Sequence, residues 1–264
     1  MVVSSPVLKF VLKTDTIIVY QMKNKKTIEG NEMRKKLLID CRFAGVAEKK
    51  WGSKFEIISS PKLNHLSEPV SCHPDLSLCK IGNTYIAEKT VYEYYKQKLS
   101  GSNVICGETV LGSHYPFDVA YNVLISGKTA FANFQYTDRV VKQELKKQNL
   151  KLININQGYA NCAAAELAGG IITADPSLLD ACAKEHIDTL EIEPGDVVLS
   201  GYDYGFIGGA SGFAYGRLLF FGDICKHKSF QNIKRFAEIK GVELEYMKDF
   251  PLTDVGTIIG IDGK

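Results

Sequence analysis

The chain has 264 residues, of which 45% are hydrophobic and 23% are charged, and its formal net charge is +2. These proportions are typical of a globular protein with an apolar core, and the small net charge argues against a chain-wide nucleic-acid-binding surface. No apolar run approaches the roughly 18 residues that a membrane span needs, and the first residues lack the apolar region of a signal peptide.

Seven cysteines are scattered along the chain without a CxxC pair: Cys41, Cys72, Cys79, Cys106, Cys162, Cys182 and Cys225. An odd number at wide spacing, in a chain long enough to have its own core, argues against a disulfide framework. We therefore expect a reducing, cytoplasmic environment. The spacing of Cys72, Cys79 and His73 does not fit a zinc site, so neither a metal nor a cofactor is predicted.

From about residue 36 one pattern occurs five times: a short apolar strand, a helix, a second strand, a polar loop and a third segment that closes on glycine. The opening strands are predicted at 36–41, 84–89, 129–134, 171–176 and 217–223. The helices follow at 44–52, 91–99, 138–148, 176–186 and 229–240. The second strands are predicted at 55–59, 103–107, 150–156, 189–194 and 242–247.

The closing glycines are evenly spaced along the chain, at Gly82, Gly127, Gly170, Gly216 and Gly263. An ordinary array of alternating strands and helices would place one strand per helix, whereas here two short strands separate most helices from the next unit. A unit of this kind cannot bury its apolar face without neighbours. We therefore predict an α/β fold of five strand-helix-strand-strand units around a pseudo-five-fold axis. Residues 36–264 form this single domain, and residues 1–35 form an N-terminal extension that packs on the ring.

This architecture resembles the pentein, or guanidino-group-modifying enzyme, fold, a pentein-type α/β propeller found in arginine and agmatine deiminases, dimethylarginine hydrolases and amidinotransferases. More narrowly, five segments are similar to an uncharacterised bacterial, clostridial-type family of that fold: 73–82, 112–122, 154–162, 201–212 and 251–258. The resemblance implies catalytic groups in a central channel. It also implies a nucleophilic cysteine in the last unit, but segment 251–258 contains none.

Polar residues collect in the loops before the third segments, and these loops converge in a ring. Attack on a guanidinium carbon needs a thiolate, an acid/base and carboxylates that hold the cation. Cys162 is the candidate nucleophile, with a buried packing role as the alternative. His114, in the equivalent loop of the second unit, is the candidate acid/base. The candidate substrate-binding residues, which alternatively cap turns, are Asp75, Asp118, Asn161, Asp203, Asp254 and His73.

Two functions remain open at this point. One is a cysteine-dependent hydrolase or transferase that acts on a small guanidino or amidino compound through a rearranged central site. The alternative is a non-catalytic pentein that binds a small ligand or a macromolecular partner. The expected ligand is a small cation, and neither nucleic acid nor membrane is expected. The glycines of segment 205–212 favour close packing over phosphate binding, because a strand follows them instead of a helix.

Overall fold

The computed structural model describes residues 34–262, which form five three-stranded sheets. The strands are β1 (Lys36–Ile39), β2 (Glu56–Ser59), β3 (Leu78–Ile81), β4 (Thr84–Ala87), β5 (Asn103–Cys106), β6 (Leu124–Ser126), β7 (Thr129–Ala132), β8 (Lys151–Asn154), β9 (Ala164–Leu167), β10 (Gly170–Thr173), β11 (Thr189–Glu191), β12 (Ser211–Ala214), β13 (Arg217–Phe220), β14 (Glu243–Tyr246) and β15 (Ile259–Ile261). The α-helices are α1 (Ala44–Trp51), α2 (Pro74–Ser77), α3 (Tyr92–Lys98), α4 (Arg139–Lys147), α5 (Pro176–Lys184) and α6 (Phe230–Ile239). Three short 3-10 helices lie at Glu68–Val70, Lys89–Val91 and Ile224–Lys226.

All five sheets share one topology. The middle strand pairs antiparallel with one neighbour and parallel with the strand that follows its helix, as β4 does with β3 and β5. The third segment of each of the first four predicted units therefore belongs to the sheet of the next unit, which it enters through a tight hairpin. Tyr215 and Gly216 turn one such hairpin with positive φ angles, as a two-residue turn between twisted strands requires. In another hairpin the turn residues are Ala168 and Gly169, and Gly170 already begins β10.

The last strand closes the ring. β15 pairs antiparallel with β1, with Lys36 opposite Ile261, and so completes the first sheet from the other end of the described chain. The predicted extension 1–35 and the closing Gly263 lie outside the described residues, apart from Arg34 and Lys35. The five-unit α/β propeller predicted from the repeats is thus confirmed, and its circle is closed by the fifth unit.

Local sequence explains why the predicted helices form where they do. Asp138 caps α4, its Oδ1 accepting hydrogen bonds from the backbone amides of Val140 (2.8 Å) and Val141 (3.2 Å). The α5 helix begins with Pro176 at its first position, behind the capping residue Asp175. Ser229, in contrast, makes no capping bond to α6 with its side chain. All five predicted helices are present, and the short α2 is an addition that the sequence pattern does not predict.

The core lies between the sheets and the helices that cover their outer strands. Helices α1, α3, α5 and α6 contact β2, β5, β11 and β14, which are the edge strands of their sheets. At the opposite edges the strands β3, β6, β9, β12 and β15 face the axis, where β12 contacts both β9 and β15. The loops that precede these inner strands consequently meet at one end of the axis. Within residues 34–262 no helix combines the length and the apolar character needed to cross a bilayer.

Candidate functional site

The converging loops enclose a cavity of about 560 Å³ at one end of the ring. Six of the eight predicted site residues line it: His73, His114, Asp118, Cys162, Asp203 and Asp254. The other two, Asp75 and Asn161, line a smaller space of about 170 Å³ between the five inner strands. The predicted residues therefore come together at the centre of the ring.

Cys162 lies between the two spaces, in the loop that leads into β9. Its side chain is buried, and its thiol donates a hydrogen bond to Asp75 Oδ2 at 2.8 Å. Asn122 Nδ2 donates to the sulfur at 3.2 Å from the other side. Burial and the negative charges of Asp75 and Asp254 raise the pKa of Cys162 well above its ordinary value. This environment favours the protonated thiol over the thiolate.

Asp75, in the first turn of α2, is the centre of the polar network behind Cys162. Its Oδ2 also accepts hydrogen bonds from Thr257 Oγ1 (2.9 Å) and Asn161 Nδ2 (3.2 Å). Asn122 Oδ1 accepts a hydrogen bond from the backbone amide of Asn161 at 2.7 Å, which links this network to the loop before β6. Asp75 Oδ1 has no hydrogen-bond partner among the described residues, and burial raises the pKa of the carboxyl group.

His73 is the histidine next to the thiol. Its ring lies with the Asp75 carboxylate and the Cys162 sulfur in a group whose potential ligand atoms are all within 4.8 Å of one another. Burial, together with the charge of Arg42, lowers the pKa of His73 to about 3, so the ring is neutral. Its Nε2 is buried without a hydrogen-bond partner in the described structure. Gly256 makes this position possible, because a Cβ there would lie 2.2 Å from His73 Cβ.

Asp254 forms the floor of the cavity beside His73. Oδ1 lies 3.9 Å from His73 Nε2, and the carboxylate accepts backbone hydrogen bonds from Phe206 (2.9 Å, to Oδ2) and Gly256 (3.0 Å, to Oδ1). Burial raises the pKa of Asp254 to about 7 in spite of these bonds. A Cβ at Gly209 would lie 2.1 Å from Asp254 Oδ1, so this close approach depends on glycine.

The remaining predicted residues lie nearer the mouth of the cavity. His114 is exposed, with Nδ1 2.7 Å from Ser113 Oγ, and it makes no hydrogen bond to Cys162. Asp118 is buried and accepts a hydrogen bond from Tyr159 Oη at 2.7 Å. Burial raises the pKa of Asp118. Asp203 is exposed. The structure thus places His73, rather than His114, against the candidate nucleophile.

Three polar partners in the network are absent from the sequence-based set of site residues. Asn122, Tyr159 and Thr257 each bond directly to Cys162, Asp118 or Asp75. All three stand in the same converging loops as the predicted residues, which is the only signal in the sequence that marks them. The residue types do not reveal which loop polar groups face the axis, since that depends on the packing of neighbouring units.

Metal-ligand chemistry is also present at the centre, although the sequence predicts no metal. His73, Asp75 and Cys162 supply one nitrogen, one oxygen and one sulfur, which are the donor types that zinc takes. Spacing along the chain associates His73 with Cys72 and Cys79 as the nearest potential zinc ligands, and that spacing does not fit a zinc site. The grouping with Cys162 arises from residues 87 positions apart, which only the closed ring brings together.

The glycines of segment 205–212 pack closely, as predicted. A Cβ at Gly208 would lie 2.2 Å from the Ala164 carbonyl oxygen, and one at Gly212 would lie 1.9 Å from that of Ile258. The segment leads into strand β12 instead of a helix. Its glycines therefore bring the inner strands together at the axis, which confirms the packing interpretation.

Five small sheets around an axis, with polar loops meeting at one end, define the chain as a pentein-fold protein. The solved structures that match include a Cys-to-Ser mutant of a DDAH from Pseudomonas aeruginosa complexed with citrulline (TM-score 0.50, 9% identity, covering 82% of this chain and 92% of that one). A Cys-to-Ser agmatine deiminase from C. jejuni with substrate bound also matches (TM-score 0.55, 9% identity, 87% and 94% coverage). A third is SxtG, an amidinotransferase from Microseira wollei (TM-score 0.50, 11% identity, 84% and 78% coverage).

Within this fold the chain belongs to a family of unknown function, DUF6873, whose model matches residues 38–259. A comparison with curated proteins found no match. At identities near 10% the solved structures establish the fold, and the function has to be argued from the site itself.

Proposed function

We propose that this chain binds a small guanidino or amidino cation in its central cavity and acts on it through Cys162, as a hydrolase or a transferase. The observation that carries the proposal is the contact between the Cys162 thiol and Asp75 Oδ2, 2.8 Å apart, at the wall of a cavity lined by carboxylates. The contact supplies a nucleophile with an adjacent proton acceptor, and the cavity supplies the place for a cation.

The charge of the cavity supports a cationic ligand. Its lining includes Asp118, Asp203 and Asp254, and no lysine or arginine from the described residues. Burial raises the pKa values of Asp118 and Asp254, and neither carboxylate has a lysine or arginine partner among the described residues. A guanidinium or amidinium group placed between them would provide that counter-charge and form charge-assisted hydrogen bonds.

The same lining argues against a ligand that carries a carboxylate. An amino-acid substrate would bring its negative group into a cavity whose described side chains offer no fixed positive charge. The mouth instead presents three exposed tyrosines, Tyr115, Tyr202 and Tyr204. Aromatic faces suit the apolar body or the cationic end of an amine. The favoured ligand is therefore a guanidino or amidino amine without an acid group.

The chemistry begins when the bound cation lowers the pKa of Cys162. The thiol proton then passes to Asp75 Oδ2, and the sulfur attacks the amidino carbon while the π electrons of the C=N bond move to nitrogen. The tetrahedral intermediate collapses with cleavage of a C–N bond, and the departing amine takes the proton from Asp75. Water or an acceptor amine next displaces the sulfur, which yields hydrolysis or group transfer.

In the second step the attacking water or amine must lose a proton. His73 is placed to accept it, because its ring borders the cavity and leaves Nε2 without a partner among the described residues. Its lowered pKa makes it a weak base by itself, and Asp254 Oδ1, 3.9 Å from Nε2, would stabilise the imidazolium that forms. His114, the acid/base predicted from the sequence, would contribute at the mouth, where its ring is exposed and makes no hydrogen bond to the sulfur.

Agmatine and arginine test this proposal as a matched pair, since they differ only in the carboxylate. Agmatine should raise the thermal midpoint of the protein in a concentration-dependent manner, and arginine should raise it less. Incubation with agmatine should release ammonia or transfer the amidino group, and mass spectrometry should detect a covalent adduct on Cys162. Cys162→Ala should keep the thermal shift and lose both the adduct and the product.

A chelator in the same assay should leave the thermal shift unchanged, which separates cation binding by carboxylates from binding through a metal at His73, Asp75 and Cys162. No shift with agmatine or with a broader panel of guanidines and amidines would contradict the binding proposal.

The second candidate is a non-catalytic pentein that binds its ligand without turnover. It is favoured by the surroundings of the Cys162 thiol, which is buried and donates to Asp75, because burial and the nearby carboxylates raise its pKa and oppose formation of the thiolate. The two candidates give different results in the same experiment. A thermal shift without adduct, ammonia release or transfer, unchanged in Cys162→Ala, would favour binding alone.

A further inference from the structure

A second pair of reactive groups lies outside the cavity, one residue from its lining. Cys41 follows β1, and Cys72 directly precedes His73; the two sulfur atoms are 3.0 Å apart. Cys72 is buried, whereas Cys41 is only partly buried. All seven cysteines of the chain lie within the described residues and are free thiols, so neither Cys41 nor Cys72 is in a disulfide with another cysteine.

The backbone around the pair is held in place on both sides. Ser60 Oγ accepts a hydrogen bond from the Cys41 amide at 3.2 Å and donates one to the Cys72 carbonyl oxygen. Arg42, the neighbour of Cys41, donates to the carbonyl oxygens of Glu68 (2.6 Å) and Pro69 (2.7 Å), shortly before Cys72. These bonds join the two segments independently of the sulfurs, so the thiols are already close to the geometry of a disulfide, in which the sulfurs are about 2.05 Å apart.

We propose that Cys41 and Cys72 form an oxidisable dithiol, a modification site that closes to a disulfide when a peroxide reaches the partly exposed Cys41. The Cys41 thiolate attacks one oxygen of hydrogen peroxide, the O–O bond breaks, and the departing hydroxide takes a proton to become water. The Cys72 sulfur then attacks the sulfenic sulfur of Cys41, the S–O bond breaks, and hydroxide leaves with the Cys72 proton as a second water. Two thiols and one peroxide thus give one disulfide and two waters.

A metal is the other use that a cysteine pair suggests, since Asp40, Cys41 and Cys72 also lie within 4.8 Å of one another. The surroundings disfavour it. Arg42 Nε donates to both carboxylate oxygens of Asp40, at 3.0 and 3.2 Å, so the oxygens that a metal would need are occupied. The guanidinium would also repel a cation at this position.

The disulfide would close a loop from residue 41 to residue 72, and His73 is the next residue along the chain. Closing a loop of about 30 residues restricts the unfolded chain, and for a protein of this size we expect the thermal midpoint to rise by about 5 °C or more. The modification would also tie the segment that carries His73 to the first strand of the ring.

The test uses the full chain, reduced and then exposed to a small molar excess of hydrogen peroxide, followed by alkylation and peptide mapping without reductant. The expected product is a cross-linked peptide pair containing Cys41 and Cys72, two hydrogens lighter than the separate peptides and separable by dithiothreitol. The thermal midpoint should rise on oxidation and return on reduction. Cys225→Ser is the matched control, because Cys225 is the exposed cysteine and its removal should change neither result.

Cys41→Ser should abolish the cross-link and the thermal shift, and because it alters the partly exposed member of the pair it tests the idea even if Cys72→Ser fails to fold. In Cys72→Ser, if it folds, dimedone should trap the sulfenic acid on Cys41. Recovery of Cys41 as an alkylated thiol, or as a sulfinic or sulfonic acid without any cross-link to Cys72, would overturn the proposal.

Discussion

Two buried aspartates show how differently this molecule treats negative charge. Asp40, at the end of the first strand, is fully buried and paired with Arg42, whose Nε donates to both of its oxygens. Asp254, on the axis, is equally inaccessible, yet it accepts hydrogen bonds only from the backbone and has no lysine or arginine partner in the described part of the chain. The first charge is neutralised by the protein itself. The second has no such counter-charge, and this difference supports the proposal of a cation-binding site at the centre of the ring.

The largest expected effect comes from removing the internal counter-charge. Arg42→Ala would leave the buried Asp40 carboxylate without a charged partner, with only the backbone amide of residue 42 still donating to its Oδ1. We expect a loss of about 3 kcal/mol in the free energy of unfolding, measured by urea denaturation. Lys62→Ala is the matched control: it breaks an ion pair with Glu68 whose side chains are both largely exposed, so the loss of stability should be much smaller than in Arg42→Ala. Similar losses in the two variants would mean that Asp40 does not depend on its partner.

The pH dependence of stability tests the uncompensated charge. Because the pKa of Asp254 is raised to about 7 in the folded chain, the folded state binds more protons than the unfolded state between about pH 4 and pH 7. Stability therefore falls as the pH rises through this range, and the contribution of Asp254 between pH 5 and pH 7 is about 2 kcal/mol.

Asp254→Asn should remove the part of this pH-dependent decrease in stability that Asp254 contributes. The altered hydrogen bonds of the variant change its stability by the same amount at every pH, so they do not affect the shape of the profile. The measurement is urea denaturation of both proteins at a series of pH values. Asp75 and Asp118, whose pKa values burial also raises, act in the same direction and remain in the variant. Parallel pH profiles for the two proteins would show that Asp254 does not titrate in this range.

A smaller effect is expected at the wall of the cavity. Tyr159→Phe removes the hydrogen bond to Asp118 Oδ2, in a carboxylate whose Oδ1 already lacks a partner in the described structure, and should cost about 1 kcal/mol. Tyr136→Phe is the control, since the hydroxyl of this partly buried tyrosine makes no hydrogen bond within the described residues. Bound agmatine should reduce the difference between Tyr159→Phe and the wild type, because the cation would give Asp118 a new partner. A difference that is the same with and without agmatine would contradict a role for Asp118 in cation binding.

Much of the fold follows from local sequence because its elements depend on local interactions. Apolar runs, a capping residue such as Asp138 and a first-turn proline such as Pro176 are sufficient to indicate strands and helices. The repeat length then implies a ring, since each unit needs neighbours to bury its apolar face. The exchange of strands between units is harder to predict from the sequence. No residue pattern in the segment before Gly82 predicts that it pairs with the next unit. Likewise, no pattern predicts that Ile261 pairs with Lys36 and so closes the ring.

The candidate site can be only partly predicted from the sequence, for a related reason. Convergence of the loops predicts that Cys162 and the acidic residues lie near one another, and the structure places six of the eight candidates around one cavity. Which histidine meets the sulfur depends on the path of each loop. His73 is fixed in place by the short helix after it and by the close approach of Gly256, whereas His114 projects to the surface.

The sequence alone thus determined the five-fold repeat, the strands and helices of each unit, and the set of polar loops that face the axis, because all of these are encoded in residue types a few positions apart. Only the tertiary structure decided that the Cys162 thiol bonds to Asp75, that Cys41 lies against Cys72, and that Asp254 has no cation partner in the described chain. These relations join residues that are 31 to 87 positions apart, and their distances and burial depend on how the ring packs. The same packing buries the Asp254 carboxyl group and raises its pKa to about 7.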